Sequence, residues 1–169
     1  RKILMVLGGI FIVLIILAAI FITLAFINQN AGYIPKERIL NEPEAALKEC
    51  AALSKEYQKD KCYNTIADVS DKVGIVSEAC GGLEAEMADF CYLRQFHRIS
   101  SGKSTQDSAS LSLCGEIKSQ ETKDECYLSA VRDGKFYDAG ICKSIVSLNN
   151  IERCESSVLD ALGGGLLGI

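Results

Sequence analysis

The hydrophobic and polar positions of this 169-residue chain divide it into two parts of opposite character. Residues 3–35 contain no charged side chain, and residues 3–28 form an almost unbroken apolar run. After residue 35, charged side chains are frequent and apolar positions recur at helical spacing within short segments. The pattern therefore predicts an all-α protein, with one long N-terminal apolar helix followed by a domain of short amphipathic helices.

The apolar run is long enough to cross a bilayer. Its 26 residues give roughly 39 Å of helix, against a hydrocarbon core of about 30 Å. A secretory signal peptide has an apolar region of only about 7–15 residues, so the run does not fit a removed signal. Arg1 and Lys2 precede the run. Because positive residues stay cytoplasmic, the N-terminus is expected initially on the cytoplasmic side of the membrane and the rest outside.

Eight cysteines define an internal repeat. They form four pairs whose members are 12, 11, 12 and 12 residues apart, and the first cysteines recur after 30, 34 and 28 residues. An apolar residue follows each first cysteine by three positions, and an acidic residue precedes each second cysteine by two. Tyr follows the second cysteine in three of the four segments. The segments therefore align as four copies of one unit, repeats 1 to 4.

Each repeat is predicted to be a helical hairpin clamped by a disulfide. A cysteine near the end of one helix and a cysteine near the start of the next can reach the Cα separation of about 5.5–6 Å that a disulfide needs. In repeat 1, Asp60 is expected to cap the second helix through its carboxylate. The preferred pairs are Cys50–Cys62, Cys80–Cys91, Cys114–Cys126 and Cys142–Cys154. Pairing between repeats, such as Cys62 with Cys80, stays open.

The residues give no sign of catalytic or metal chemistry. Zinc sites usually contain C-x₂₋₄-C and thioredoxin-like sites C-x-x-C, whereas no two cysteines here are closer than 11 residues. The single histidine, His97, stands between Arg94 and Arg98 and is interpreted as a surface residue. We therefore expect no catalytic residue, no cofactor, no metal and no small-molecule substrate, so the protein is not expected to be an enzyme.

Charge and cysteine content narrow the partners and the compartment. A net charge of −4 argues against a nucleic-acid partner, because phosphate binding needs a basic surface. Disulfides persist in oxidising environments, which agrees with a location outside the cell.

Composition predicts four segments. They are a stem or transmembrane helix at 1–28, a hinge linker at 29–43, the four-repeat hairpin domain at 44–160 and an apolar, glycine-rich tail at 161–169. The Ser-rich stretch 100–112 is interpreted as an exposed loop that could carry O-linked sugar. The tail is expected to pack on the last hairpin, with a contact between subunits as the alternative.

The apolar run ILMVLGGIFIVLIILAAIFITLAFIN at residues 3–28 resembles the N-terminal helix of type IV pilins and their archaeal relatives. Such proteins keep a long apolar helix after a leader is cut off. The start at Arg1 instead of Met is expected if a protease produced this terminus, and trimming of the sequence is the alternative. The fifth position, where bacterial pilins usually carry Glu, is Met5. The repeated pattern C…D-x-C-Y resembles that of cysteine-clamped helical-hairpin domains in archaeal surface proteins.

The resemblance implies a structural subunit of an extracellular, type IV pilus-like filament. In this homo-oligomer the stem helices form the core and the cysteine-rich domains the outer surface, and the membrane holds the stem before assembly. The expected core residues are Leu4, Leu7, Ile10, Phe11, Leu14, Leu17, Phe21 and Leu24. The alternative is a membrane-anchored extracellular domain that acts as an adhesin, a receptor or an accessory subunit of a membrane complex. Both hypotheses place the protein at the cell surface.

Overall fold

The computed structural model describes residues 12, 14–23, 33–101, 108–133 and 136–163. The chain divides into two units, with the boundary between Tyr33 and Ile34. In the N-terminal unit, residues 14–23 are helical and form α1. The rest of the helix predicted over residues 3–28, except helical Ile12, lies outside the described residues. In the part of the chain that the structure describes, no helix combines the length and the apolar character needed to cross a membrane.

The C-terminal unit, which we call the repeat domain, is helical and contains no strand in its described ranges. This confirms the predicted all-α class for these residues. Its elements are α2 (Lys36–Asn41), α3 (Pro43–Ala52), α4 (Glu56–Val69), α5 (Val73–Gly81), α6 (Ala85–Ser101), α7 (Ser108–Glu116), α8 (Gln120–Arg132), a 3₁₀ helix (Ile141–Ser144) and α9 (Leu148–Gly163). The Ser-rich stretch is thus helical at Ser100, at Ser101 and from Ser108 onwards, and the predicted loop is wrong at those positions.

Four disulfides join the two cysteines of each repeat, which confirms the preferred pairing. The Cα atoms of the pairs are 5.5–5.7 Å apart. Each second cysteine is the seventh residue of its helix, in α4, α6, α8 and α9. A backbone hydrogen bond also recurs, in which the apolar residue three positions after the first cysteine donates its N–H to that cysteine's carbonyl. The donors are Leu53, Leu83, Ile117 and Ile145, at 3.1–3.4 Å. The four sequence repeats therefore also share the same local backbone structure around their cysteines.

Repeat 4 differs from the predicted helical hairpin. Its first cysteine, Cys142, lies in the short 3₁₀ helix and not in an α-helix. Few residues separate the end of α8 at Arg132 from Cys142, and Gly140 directly precedes the 3₁₀ helix. A full α-helix does not fit in that length, so a single tight turn carries the cysteine.

Residues 34–43, predicted as part of a hinge, belong to the repeat domain. Ile34 and Ile39 are 5% and 1% exposed and join the same apolar core as Leu47 and Ile66. Pro43 is the first residue of α3, where its missing N–H removes no intrahelical hydrogen bond. Pro35, just ahead of α2, and Pro43, at the start of α3, therefore mark helix boundaries inside the fold.

The tyrosines that follow the second cysteines of repeats 1 to 3 pack in the hairpins. Tyr92 is buried, and its hydroxyl donates to the carbonyl of Ser77 at 3.2 Å. Burial raises the pKa of Tyr92, and the nearby Glu116 carboxylate adds to the effect. Tyr63 and Tyr127 are partly buried against the same core. These rings contribute to packing and do not form an exposed aromatic surface.

Candidate functional site

The acidic residue of the repeat joins one repeat to the next. In repeat 2, Asp89 lies one turn inside α6 and is 7% exposed. Its Oδ1 accepts a hydrogen bond from the N–H of Lys118 and its Oδ2 one from the N–H of Ser119, both at 2.8 Å. These donors lie just ahead of α8, where backbone N–H groups have no partner within the helix. The carboxylate therefore caps a helix of the following repeat.

Asp124 of repeat 3 makes the same connection to repeat 4. Its carboxylate accepts from the N–H groups of Val146 and Ser147 at 3.1 and 2.8 Å, just ahead of α9. Burial alone would raise the pKa of Asp124, but these two bonds and a third from the Gln120 amide outweigh it. The pKa of Asp124 therefore lies below its ordinary value. Negative charge is also favoured at the positive end of the helix dipole.

Asp60 of repeat 1 does not take part in this series. The prediction that it caps its own helix is wrong, because α4 begins at Glu56 and Asp60 lies one turn inside it. Its Oδ1 is buried without a hydrogen-bond partner. The following repeat is one residue shorter between Cys80 and Cys91 than the other three. We attribute the missing pair of donors to this shorter segment.

Repeats 1 and 2 are joined by side chains of α6 that bind the end of α4. Gln95, which is fully buried, donates from Nε2 to Oδ1 of Asp68 at 2.6 Å. Arg98 donates from Nη2 to the carbonyls of Ala67 and Ser70 at the C-terminal end of α4. A cation at this end of a helix is favoured because the last carbonyls lack partners within the helix.

The described part of the stem presents apolar side chains outward. Of the residues predicted to form a filament core, Leu14, Leu17 and Phe21 are 58%, 56% and 75% exposed. Leu4, Leu7, Ile10, Phe11 and Leu24 lie outside the described residues. The polar side chain of this helix, Thr23, donates its hydroxyl to the carbonyl of Ala19 in the preceding turn. The hydrogen-bonding capacity of α1 is thus used within the helix, which suits an apolar environment.

The two ends of the repeat domain differ. At the N-terminal end, α2 packs on α3 and α4 and carries Arg38, which forms ion pairs with Glu42 and Glu49. At the C-terminal end, α9 leaves large apolar side chains exposed: Leu148 at 79%, Leu159 at 68% and Leu162 at 57%. Sequence reasoning missed this surface. Its signal was the apolar position five residues after each second cysteine, which continues into repeat 4 as Leu159.

No protein-family model, no curated protein and no solved structure matches this chain. Within the described ranges, no three His, Cys, Asp or Glu side chains come together in a group that could hold a metal ion. His97 is exposed at the surface, as predicted, with its ring against the edge of Phe96. The apolar stem and the repeat domain are therefore the two features of the chain that bear on its function.

Proposed function

We propose that this chain is a structural subunit of an extracellular, type IV pilus-like filament, in which the apolar stem helices form the core and the repeat domains form the outer surface. The observation that carries the proposal is the outward placement of every described apolar side chain of α1. Such a helix is stable only where other molecules supply an apolar environment on all sides, because exposed apolar surface is unfavourable at about 25 cal/mol per Å².

The repeat domain supports a structural role. Four disulfides close its hairpins, and carboxylates or an arginine join each repeat to the next. Disulfides of this kind persist outside the reducing cytosol, which agrees with a cell-surface location. A domain tied at every hairpin and every junction resists unfolding and shear, as the exterior of a filament must.

The alternative function is a membrane-anchored extracellular domain that binds a partner as an adhesin, a receptor or an accessory subunit. The apolar run of residues 3–28 matches a bilayer span in length and charge. The exposed apolar side chains of α9 favour this alternative, because surfaces of that kind often mark protein contacts. In both functions the stem meets an apolar environment, and the difference lies in what surrounds it.

Mechanical shearing of cells that produce the protein distinguishes the two. We expect the chain in the sheared, sedimentable filament fraction, identified by mass spectrometry. Recovery only with the membrane fraction would contradict the filament proposal and leave the anchored domain.

A substitution that keeps the stem apolar sharpens this test. Ala18→Phe preserves membrane insertion but adds bulk where small residues allow close helix approach. We expect it to lower the filament yield while the amount of protein in the membrane is unchanged. Leu17→Phe, which replaces one large apolar side chain by another, is the matched control. An unchanged yield of Ala18→Phe filaments would contradict close packing of the stems.

A further inference from the structure

The outer face of α9 corresponds to the interface through which each earlier repeat contacts the next. The residue five positions after the second cysteine is Ala67, Phe96, Val131 and Leu159 in repeats 1 to 4. The first three are 0%, 0% and 2% exposed, whereas Leu159 is 68% exposed. Val131 shows what covers this position, because it lies in one apolar cluster with Ile145 of the following repeat. Leu159 occupies an interface position and has no such cover within the described residues.

Two further positions repeat this difference. The acidic residues Asp89 and Asp124 are 7% and 2% exposed and bind backbone N–H groups of the next repeat. Their counterpart Glu152 is exposed. Eight positions after the second cysteine, Ile99 of repeat 2 is 4% exposed and Leu162 is 57% exposed. The exposed Leu159 and Leu162, together with the Glu152 carboxylate, thus occupy the positions on α9 that contact the following repeat when they occur in repeats 2 and 3.

A second copy of the chain does not fit this face in either simple arrangement. In a head-to-tail arrangement, this face would meet the N-terminal end of the second copy's repeat domain. That end is already covered by α2, which packs on α3 and α4 as α4 packs on α5 and α6. An antiparallel two-fold pair of α9 helices, centred on the middle of α9, would place Glu155 of one copy against Glu155 of the other and Glu152 against Leu159 of the other. Like charges at an interface, and a carboxylate against an apolar side chain, oppose association.

We propose that the outer face of α9, formed by Glu152, Glu155, Leu159 and Leu162, binds a further cysteine-clamped helical hairpin that these 169 residues do not contain. The first helix of that hairpin packs on Leu159 and Leu162. The backbone N–H groups ahead of its second helix bind Glu152, as those of Ser119 and Ser147 bind Asp89 and Asp124. The inference does not depend on what surrounds the stem.

A photoreactive residue at position 159 tests this proposal in the full chain, produced in its native cells. p-Benzoylphenylalanine replaces Leu159, and cross-linked peptides are identified by mass spectrometry. The control is the same residue at Tyr57, which is 57% exposed on repeat 1. We expect a peptide from outside these 169 residues that carries two cysteines with the spacing found here. Attachment to residues of this sequence, whether from a second copy or from the tail at 164–169, overturns the proposal. So does a yield no higher than that of the control.

The carboxylate is tested separately with the probe kept at position 159. Glu152→Lys places a cation against the expected backbone donors and should lower the cross-link yield about tenfold. Glu86→Lys, at another exposed position of a second helix, is the control and should keep the yield. Both side chains are exposed, so the melting temperature of each variant should match that of the parent. An unchanged yield for Glu152→Lys overturns the role assigned to the carboxylate.

Discussion

The stem and the repeat domain use the same apolar residue types in opposite ways. In the described part of α1, large side chains such as Leu14, Ile16 and Phe21 are between 50% and 75% exposed. In the repeat domain, Ile39 and Phe96 are at most 1% exposed. The repeat domain therefore stabilises itself, through burial, disulfides and junctions. The described apolar side chains of α1 stay exposed. Under the filament proposal, they gain the same burial energy from the stems of other subunits.

The largest expected effect comes from a charge placed in the stem. Leu14→Asp puts an unpaired carboxylate in an apolar assembly, at several kcal/mol for each subunit, and should abolish filaments in sheared preparations. Leu40→Asp is the matched control, because Leu40 is 52% exposed against 58% for Leu14 but belongs to the repeat domain. Filaments should survive this substitution. Loss of filaments in both variants would contradict the claim that the stem, and not the repeat domain, is buried in the filament.

Removing a disulfide should have the next largest effect, confined to the repeat domain. Replacing Cys114 and Cys126 by Ala opens a loop of 12 residues and should lower the free energy of unfolding by about 3 kcal/mol. Urea denaturation followed by circular dichroism measures the change. Leu14→Asp should not change the urea midpoint of the repeat domain. A repeat domain whose urea midpoint does not change on reduction would show that the clamps do not stabilise it.

The carboxylates at the junctions should contribute less than a disulfide. Asp124→Asn leaves one backbone donor of repeat 4 unpaired and should destabilise the domain by about 1–3 kcal/mol. Asp60→Asn is the matched control, because Oδ1 of Asp60 has no partner to lose. We expect it to be neutral or slightly stabilising in thermal unfolding. Equal losses for the two variants would contradict the assignment of Asp124 as a junction residue.

Acid should weaken the same junction. The pKa of Asp124 is lower in the folded domain than its ordinary value of 3.8. The carboxyl therefore stabilises the fold above pH 3.8, and this contribution is lost as the pH falls through the lowered pKa. Denaturation measured from about pH 5 down to about pH 2 should show a steeper loss of stability for the wild type than for Asp124→Asn, mainly below about pH 4. Parallel curves would mean that Asp124 does not titrate as its contacts require.

The smallest expected effects come from two glycines of repeat 2. A Cβ at Gly74, inside α5, meets no atom within 4 Å. Gly74→Ala should therefore stabilise the domain by about 0.5–1 kcal/mol through helix propensity. At Gly82 a Cβ would lie 2.6 Å from the ring of Tyr63, so Gly82→Ala should destabilise by about 1 kcal/mol. Thermal unfolding of the two variants should shift in opposite directions. Shifts of the same sign would contradict the close contact at Tyr63.

The repeat could be recognised from the sequence, but the contacts between successive repeats could not be predicted from it. A cysteine spacing of 11 or 12 residues was enough to pair all four disulfides, because the two arms of a short hairpin lie next to each other. The roles of Asp89 and Asp124 depend on contacts between repeats, which spacing within one repeat does not show. Asp60 had the same sequence signal, yet its buried Oδ1 has no hydrogen-bond donor in the structure.

Helix boundaries were the other source of error. Residues 29–43, which contain Pro35 and Pro43, were predicted to be a linker. In the structure, Ile34 and Ile39 instead connect α2 to the core. A helix of six residues shows too little periodicity to be recognised from its pattern. The exposed face of α9 could be seen only after the buried equivalents of Leu159 were known.

The most direct test of the filament proposal is the identity of the molecules next to the stem in native cells. A photoreactive residue in place of Phe21, which is 75% exposed, samples those neighbours. We predict cross-links between copies of this chain, seen as a ladder of homo-oligomers whose joined peptides both contain residues of the stem. Attachment mainly to lipid, or to one unrelated membrane protein, would contradict the filament and favour the membrane-anchored domain.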